Sequence, residues 1–168
     1  MRTLIFLLLI STLGKAQTLT VTGSWAPTLN DVRPSVAGSD YSAVTESLPN
    51  QVQLGVSEYL LLALLSKYDI SVKKTGNLPS GAKLYVRRSG DGTTNSGSVT
   101  LGSYSGGLSY IEVTNSGQQL FRINVTLSLS LPITLSFQNI PIQYKLEGLS
   151  VTQPTGNHNV TVTYTVSK

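Results

Sequence analysis

Hydrophobic residues recur at every second position over much of this chain, the period of a strand with one buried face. The pattern is cleanest near the end, where Val160, Val162, Tyr164 and Val166 alternate with Thr161, Thr163 and Thr165. The same period marks 51–56, 68–73, 83–87, 110–113, 120–127, 133–137 and 142–146. β-Branched residues recur in these stretches, and Asn115-Ser116-Gly117, Asn139 with Pro141, and 153–157 separate them with turn-forming residues. A hairpin is expected across Asn115-Ser116-Gly117. Residues 23–48, with Pro27, Pro34 and several Ser and Gly, read as an irregular run before the first long core strand.

One segment breaks the period. Tyr59-Leu60-Leu61-Leu62-Ala63-Leu64-Leu65 is continuously apolar and rich in straight-chain helix formers, with Ser57 placed to cap it and Glu58 near the positive end. It predicts a short helix over 58–66, plugging one end of the core. About eight closely spaced strands with Gly, Pro and Asn turns predict an all-β fold, an immunoglobulin-like antiparallel β-sandwich. With no linker or low-complexity tract after residue 17, residues 17–168 are expected to form a single domain.

The first sixteen residues follow a different rule. Met1-Arg2-Thr3 is a basic start, residues 4–10 are a short apolar run, and Gly14-Lys15-Ala16 supplies small residues at a cleavage point. These are the parts of a secretory signal peptide, and the apolar run is too short to span a bilayer. The protein is therefore expected to be exported, to the cell surface, a fimbrium or the extracellular space, with no transmembrane helix after cleavage. Cleavage removes Arg2 and Lys15 from the twelve Lys and Arg and leaves ten against eight Asp and Glu. The apparent basicity mostly disappears, and Lys73-Lys74 and Arg87-Arg88 are the densest basic points, so no nucleic-acid footprint is visible. The absence of cysteine excludes thiol nucleophiles and zinc-cysteine sites.

Little else carries chemistry. The only histidine, His158, lies between two asparagines, and no G-x-S-x-G elbow occurs. Gly90-Asp91-Gly92 reads as a hairpin turn, because calcium takes about six to eight oxygens and Asp91 is the only acid nearby. No catalytic residue, metal site or cofactor is expected. Trp25, Tyr41, Tyr104 and Tyr110 lie in or near candidate loops, where exposed rings would stack on a polysaccharide. They are the ligand-contact candidates of an alternative reading, a secreted carbohydrate-binding β-sandwich module.

The other candidates sit at the two ends. Leu19, Val21, Gly23 and Trp25 share one face at the start of the processed chain, as Val160, Val162 and Tyr164 do in the last strand. The alternating Leu19-x-Val21-x-Gly23 start and the closing Val160-Thr161-Val162-Thr163-Tyr164-Thr165-Val166 resemble fimbrial subunits of the chaperone-usher type, including the spore-coat-U-like branch. That resemblance covers the two ends and the general β pattern. It implies a non-enzymatic structural or adhesive subunit, a pilus or surface-filament protein assembling by β-strand addition with itself or another exported subunit. On this view Leu19, Val21 and Gly23 belong to a donor segment, and Val160, Val162 and Tyr164 line a groove or contact a chaperone.

Overall fold

A computed structural model of the chain describes residues 17–27, 44–59, 62–94, 99–129, 134–150 and 157–168. The leader expected at 1–16, Tyr41 and most of the turn at 153–157 lie outside the described residues. Eleven strands are described: β1 (Gln17–Thr22), β2 (Val44–Glu46), β3 (Val52–Glu58), β4 (Leu62–Gly76), β5 (Lys83–Arg88), β6 (Thr93–Thr94), β7 (Val99–Ser105), β8 (Ile111–Glu112), β9 (Gln118–Leu129), β10 (Leu135–Glu147) and β11 (Val160–Ser167).

They form two antiparallel sheets in a sandwich-like arrangement. One follows the order β1-β3-β10-β5-β8, with β2 and β6 also paired to β10; the other is β11-β4-β9-β7. Alternation fixes which side of each strand is buried. Val52, Leu54 and Val56 of β3, Ile140, Ile142 and Tyr144 of β10, and Leu84 and Val86 of β5 face inward from the first sheet. Tyr68, Ile70 and Val72 of β4, Phe121, Ile123 and Val125 of β9, and Tyr164 of β11 meet them from the second.

The helix expected over 58–66 does not form in the described residues. Glu58 ends β3, and Leu62 opens a fifteen-residue strand that pairs with β9 from Leu62↔Leu129 onward. Pairing with a strand sixty residues away overrides the local helix propensity of a leucine run. Nor do its leucines all plug the core: Leu64 is 60% exposed and Leu65 79%.

Two expected hairpins are also corrected. The turn at Asn115-Ser116-Gly117 joins β8 of the first sheet to β9 of the second, so it crosses between layers. Residues 89–92 connect β5 to β6, both of which pair antiparallel with β10, so the chain jogs along one edge instead of reversing. The jog is pinned by Arg88, only 3% exposed, whose guanidinium donates to Gly90 O at 2.8 Å and Gly106 O at 3.1 Å and pairs with Asp91. Finally, 133–137 and 142–146, read as separate strands, belong largely to one strand, β10, interrupted by a bulge between Phe137 and Ile140.

Candidate functional site: the terminal strands

The first and last strands end up as neighbours. β1 is an edge strand of one sheet, β11 an edge strand of the other, and the two lie against each other on the same side of the sandwich. β1 pairs with β3 in the register Gln17↔Glu58 through Thr22↔Gln53, and β11 with β4 from Val160↔Gly76 through Ser167↔Asp69.

Within β1, Leu19 packs on the core, whereas Val21 remains 51% exposed at the open rim. Gly23 follows the strand at φ +97°, and a Cβ there would lie 2.4 Å from Gln51 O, so the turn requires glycine. Gln51 secures it by donating from Nε2 to Ser24 O at 2.5 Å. The turn brings Trp25 parallel to the Tyr144 ring, with centroids 5.9 Å apart. In β11, Val160 and Val162 pack on the core and Tyr164 is buried, its hydroxyl 2.7 Å from that of Tyr144. Tyr144 on β10 therefore couples Trp25 to Tyr164. Burial is the main cause that raises the pKa of both tyrosines.

A second tie lies at the other end of these strands. Glu58 is 4% exposed, and its carboxylate accepts from Tyr68 Oη at 2.5 Å and from Lys168 Nζ at 2.9 and 3.1 Å. Lys168 Nζ also sits 5.4 Å from the centre of the Tyr68 ring. Burial pushes the Tyr68 phenol well above its ordinary range, and the Glu58 carboxylate adds to the shift. This one carboxylate at the end of β3 therefore ties the middle of β4 to the residue that follows β11, and the β3 backbone at Glu58 stands opposite Gln17 of β1. Sequence reading placed Glu58 at a helix start and missed the tie, as it missed Tyr144. The inward alternation Ile142-x-Tyr144 was the available signal for the latter.

The aromatic candidates are not brought together. Trp25 is half-buried against the core. Tyr104 is half-buried between Phe121 and Phe137, each with its centroid 6.3 Å away, under the Arg88 guanidinium at 4.9 Å. Tyr110 lies on the opposite, outer side of the first sheet, with Arg87 and Lys145 each 4.7 Å from its centroid. Lys145 is shared with Tyr85, whose ring centroid lies 4.6 Å from its ammonium.

Several acids among the described residues sit in separate cation contacts. Asp69 receives Arg122 at 2.6 and 2.9 Å, Glu147 receives Lys145 at 2.6 Å, and Glu112 receives Lys83 at 3.3 Å. Asp31 and Asp40 lie outside the described residues. No group of three or more His, Asp or Glu positioned for a metal occurs among the described residues, and no described helix is long and apolar enough to cross a membrane. No family model, curated protein or solved structure matches the chain.

Proposed function

We propose that this protein is an exported, non-enzymatic structural or adhesive subunit that joins copies of itself, or another exported subunit, by β-strand addition. The observation that carries this reading is the placement of β1 and β11 as adjacent edge strands of the two sheets. An edge strand presents unpaired backbone donors and acceptors to any strand that reaches it. β1 is six residues long and pairs only with β3 among the described residues. A neighbour's β1 can take the same register on β3, since exchange of an identical element preserves every contact it makes.

On this reading the sandwich is immunoglobulin-like. Leu19 and Val21 are donor-face residues, Gly23 ends the donor segment, and Val160, Val162 and Tyr164 line the side it enters. Removal of the leader sets Gln17 free at the start of β1, where the donor segment begins.

Because the chain contains no cysteine, the test is clean. Thr18→Cys with Ser57→Cys places thiols on directly opposed residues of β1 and β3. After oxidation, the proposal expects a ladder of disulfide-linked multimers on a non-reducing gel, and oligomers by light scattering that vanish when residues 17–24 are deleted. Monomers alone, linked internally and monodisperse in solution, overturn it.

A further inference from the structure

We infer that the outer face of β3 carries a binding groove for a neutral glycan. This goes beyond strand addition and requires only that β1 lie against β3, whichever copy supplies it.

The groove has a volume of about 240 Å³, the scale of a monosaccharide rather than a drug-sized ligand. Three strands build it. Thr20 of β1 stands directly opposite Gly55 of β3, and on the far side of Gly55 the β10 register jumps from Phe137↔Val56 to Ile140↔Leu54. Two residues of β10, Gln138 and Asn139, therefore face one glycine. The bulge breaks the alternation so that both amides are exposed, and Asn139 adopts φ +55°. Bulges re-aim side chains in this way, and left-handed backbone is a cost retained where the surroundings enforce it.

The glycine is what keeps the space open. A Cβ at Gly55 would stand 2.5 Å from Thr20 Oγ1. The rim amides are also held in place: Gln138 donates to Ser136 Oγ at 3.1 Å, and Asn139 to Thr93 Oγ1 at 3.3 Å. Thr22 and Ser57 extend the lining along the strands. The side chains on this polar face are hydroxyls and amides, and no charged residue lines the groove. Such a wall both donates and accepts hydrogen bonds and supplies no counter-charge, the chemistry that suits an uncharged, hydroxyl-rich ligand. No aromatic ring lines it, so binding rests on hydrogen bonds and falls in the range of about 1 mM.

Amide NMR of the full chain tests the inference, with cellohexaose, laminarihexaose, mannohexaose and chitohexaose as probes and polygalacturonate as the charged comparator. At least one neutral hexamer is expected to shift Gly55, Ser57, Gln138 and Asn139 saturably, while polygalacturonate leaves them unmoved. Gln138→Ala with Asn139→Gly, which keeps a residue tolerant of positive φ, should weaken binding about tenfold with unchanged melting. Thr22→Val, an exposed change, is the second variant should the first unfold, and it should weaken binding as well. No shift with any hexamer, shifts that map elsewhere, a preference for polygalacturonate, or wild-type binding by a folded variant overturns the inference. None of these outcomes bears on the cross-linking result above.

Discussion

Tyr104 and Tyr144 point their rings into the same core, yet their hydroxyls are treated differently. The Tyr144 hydroxyl meets that of Tyr164 at 2.7 Å, whereas Tyr104 Oη is buried beside Gly92 without a well-formed hydrogen bond. A buried polar group without a partner loses its hydration for no return, and a paired one recovers it. The two Tyr→Phe changes should therefore have opposite signs. Tyr104→Phe is expected to leave stability unchanged or raise it by up to about 1 kcal/mol. Tyr144→Phe removes one bond and strands the Tyr164 hydroxyl, which should cost about 1–3 kcal/mol. Urea unfolding of the two variants checks the difference; a destabilised Tyr104→Phe would mean that its hydroxyl has a partner after all.

At the scale of elements, β4 shows where pattern and structure part. Leu65 lies at φ +46°, a conformation that a branched side chain enters at a cost of roughly 1–2 kcal/mol, and it gains little from burial there. Leu65→Asn should therefore stabilise the protein by about 1 kcal/mol, read as a rise of about 2–4 °C in Tm, since asparagine tolerates this region. A fall in Tm would show that the leucine side chain is packed. The same strand explains how much was legible beforehand. The inward faces of β3, β5, β9 and β11 follow directly from alternation, because burial of one face imposes a period of two. The topology does not, because the partner of 62–66 lies at 125–129 and nothing local records it. Hairpins were expected at 90–92 and 115–117, yet the first continues along β10 and the second crosses between sheets. At the candidate site, the Val160-Val162-Tyr164 face was readable, but the tie of Glu58 to Lys168 spans 110 residues. The β10 bulge looked like a gap between strands, so Asn139 read as a turn residue and Gln138 carried no signal at all.

For the molecule as a whole, the ionisable groups define a stability plateau with two limbs. On the acid side, the Arg122 hydrogen bond holds Asp69 below its ordinary pKa, and the Lys145 hydrogen bond does the same for Glu147. A depressed carboxylate contributes stability that is present above the unfolded value of about 4 and is lost as pH falls through the lower folded value. On the alkaline side, burial is the main cause that raises Tyr68, Tyr104, Tyr144 and Tyr164, with Tyr104 pushed up to about 12. A raised phenol contributes stability in full below about pH 10, and that contribution declines above it, because the unfolded chain ionises first. Lys145, raised chiefly by its bond to Glu147, adds to the same limb. Tm is therefore expected to be flat between about pH 5 and 9, to fall below about 4, and to fall again above about 10. Asp69→Asn separates the limbs, since it removes a carboxylate from the acid limb and is not among the groups that raise any of the four tyrosines. Its Tm should be lower at neutral pH, change less between about pH 5 and 3, and keep the wild-type slope above about 10. An unchanged acid slope would mean that the Asp69–Arg122 bond links β4 to β9 without contributing to the pH dependence.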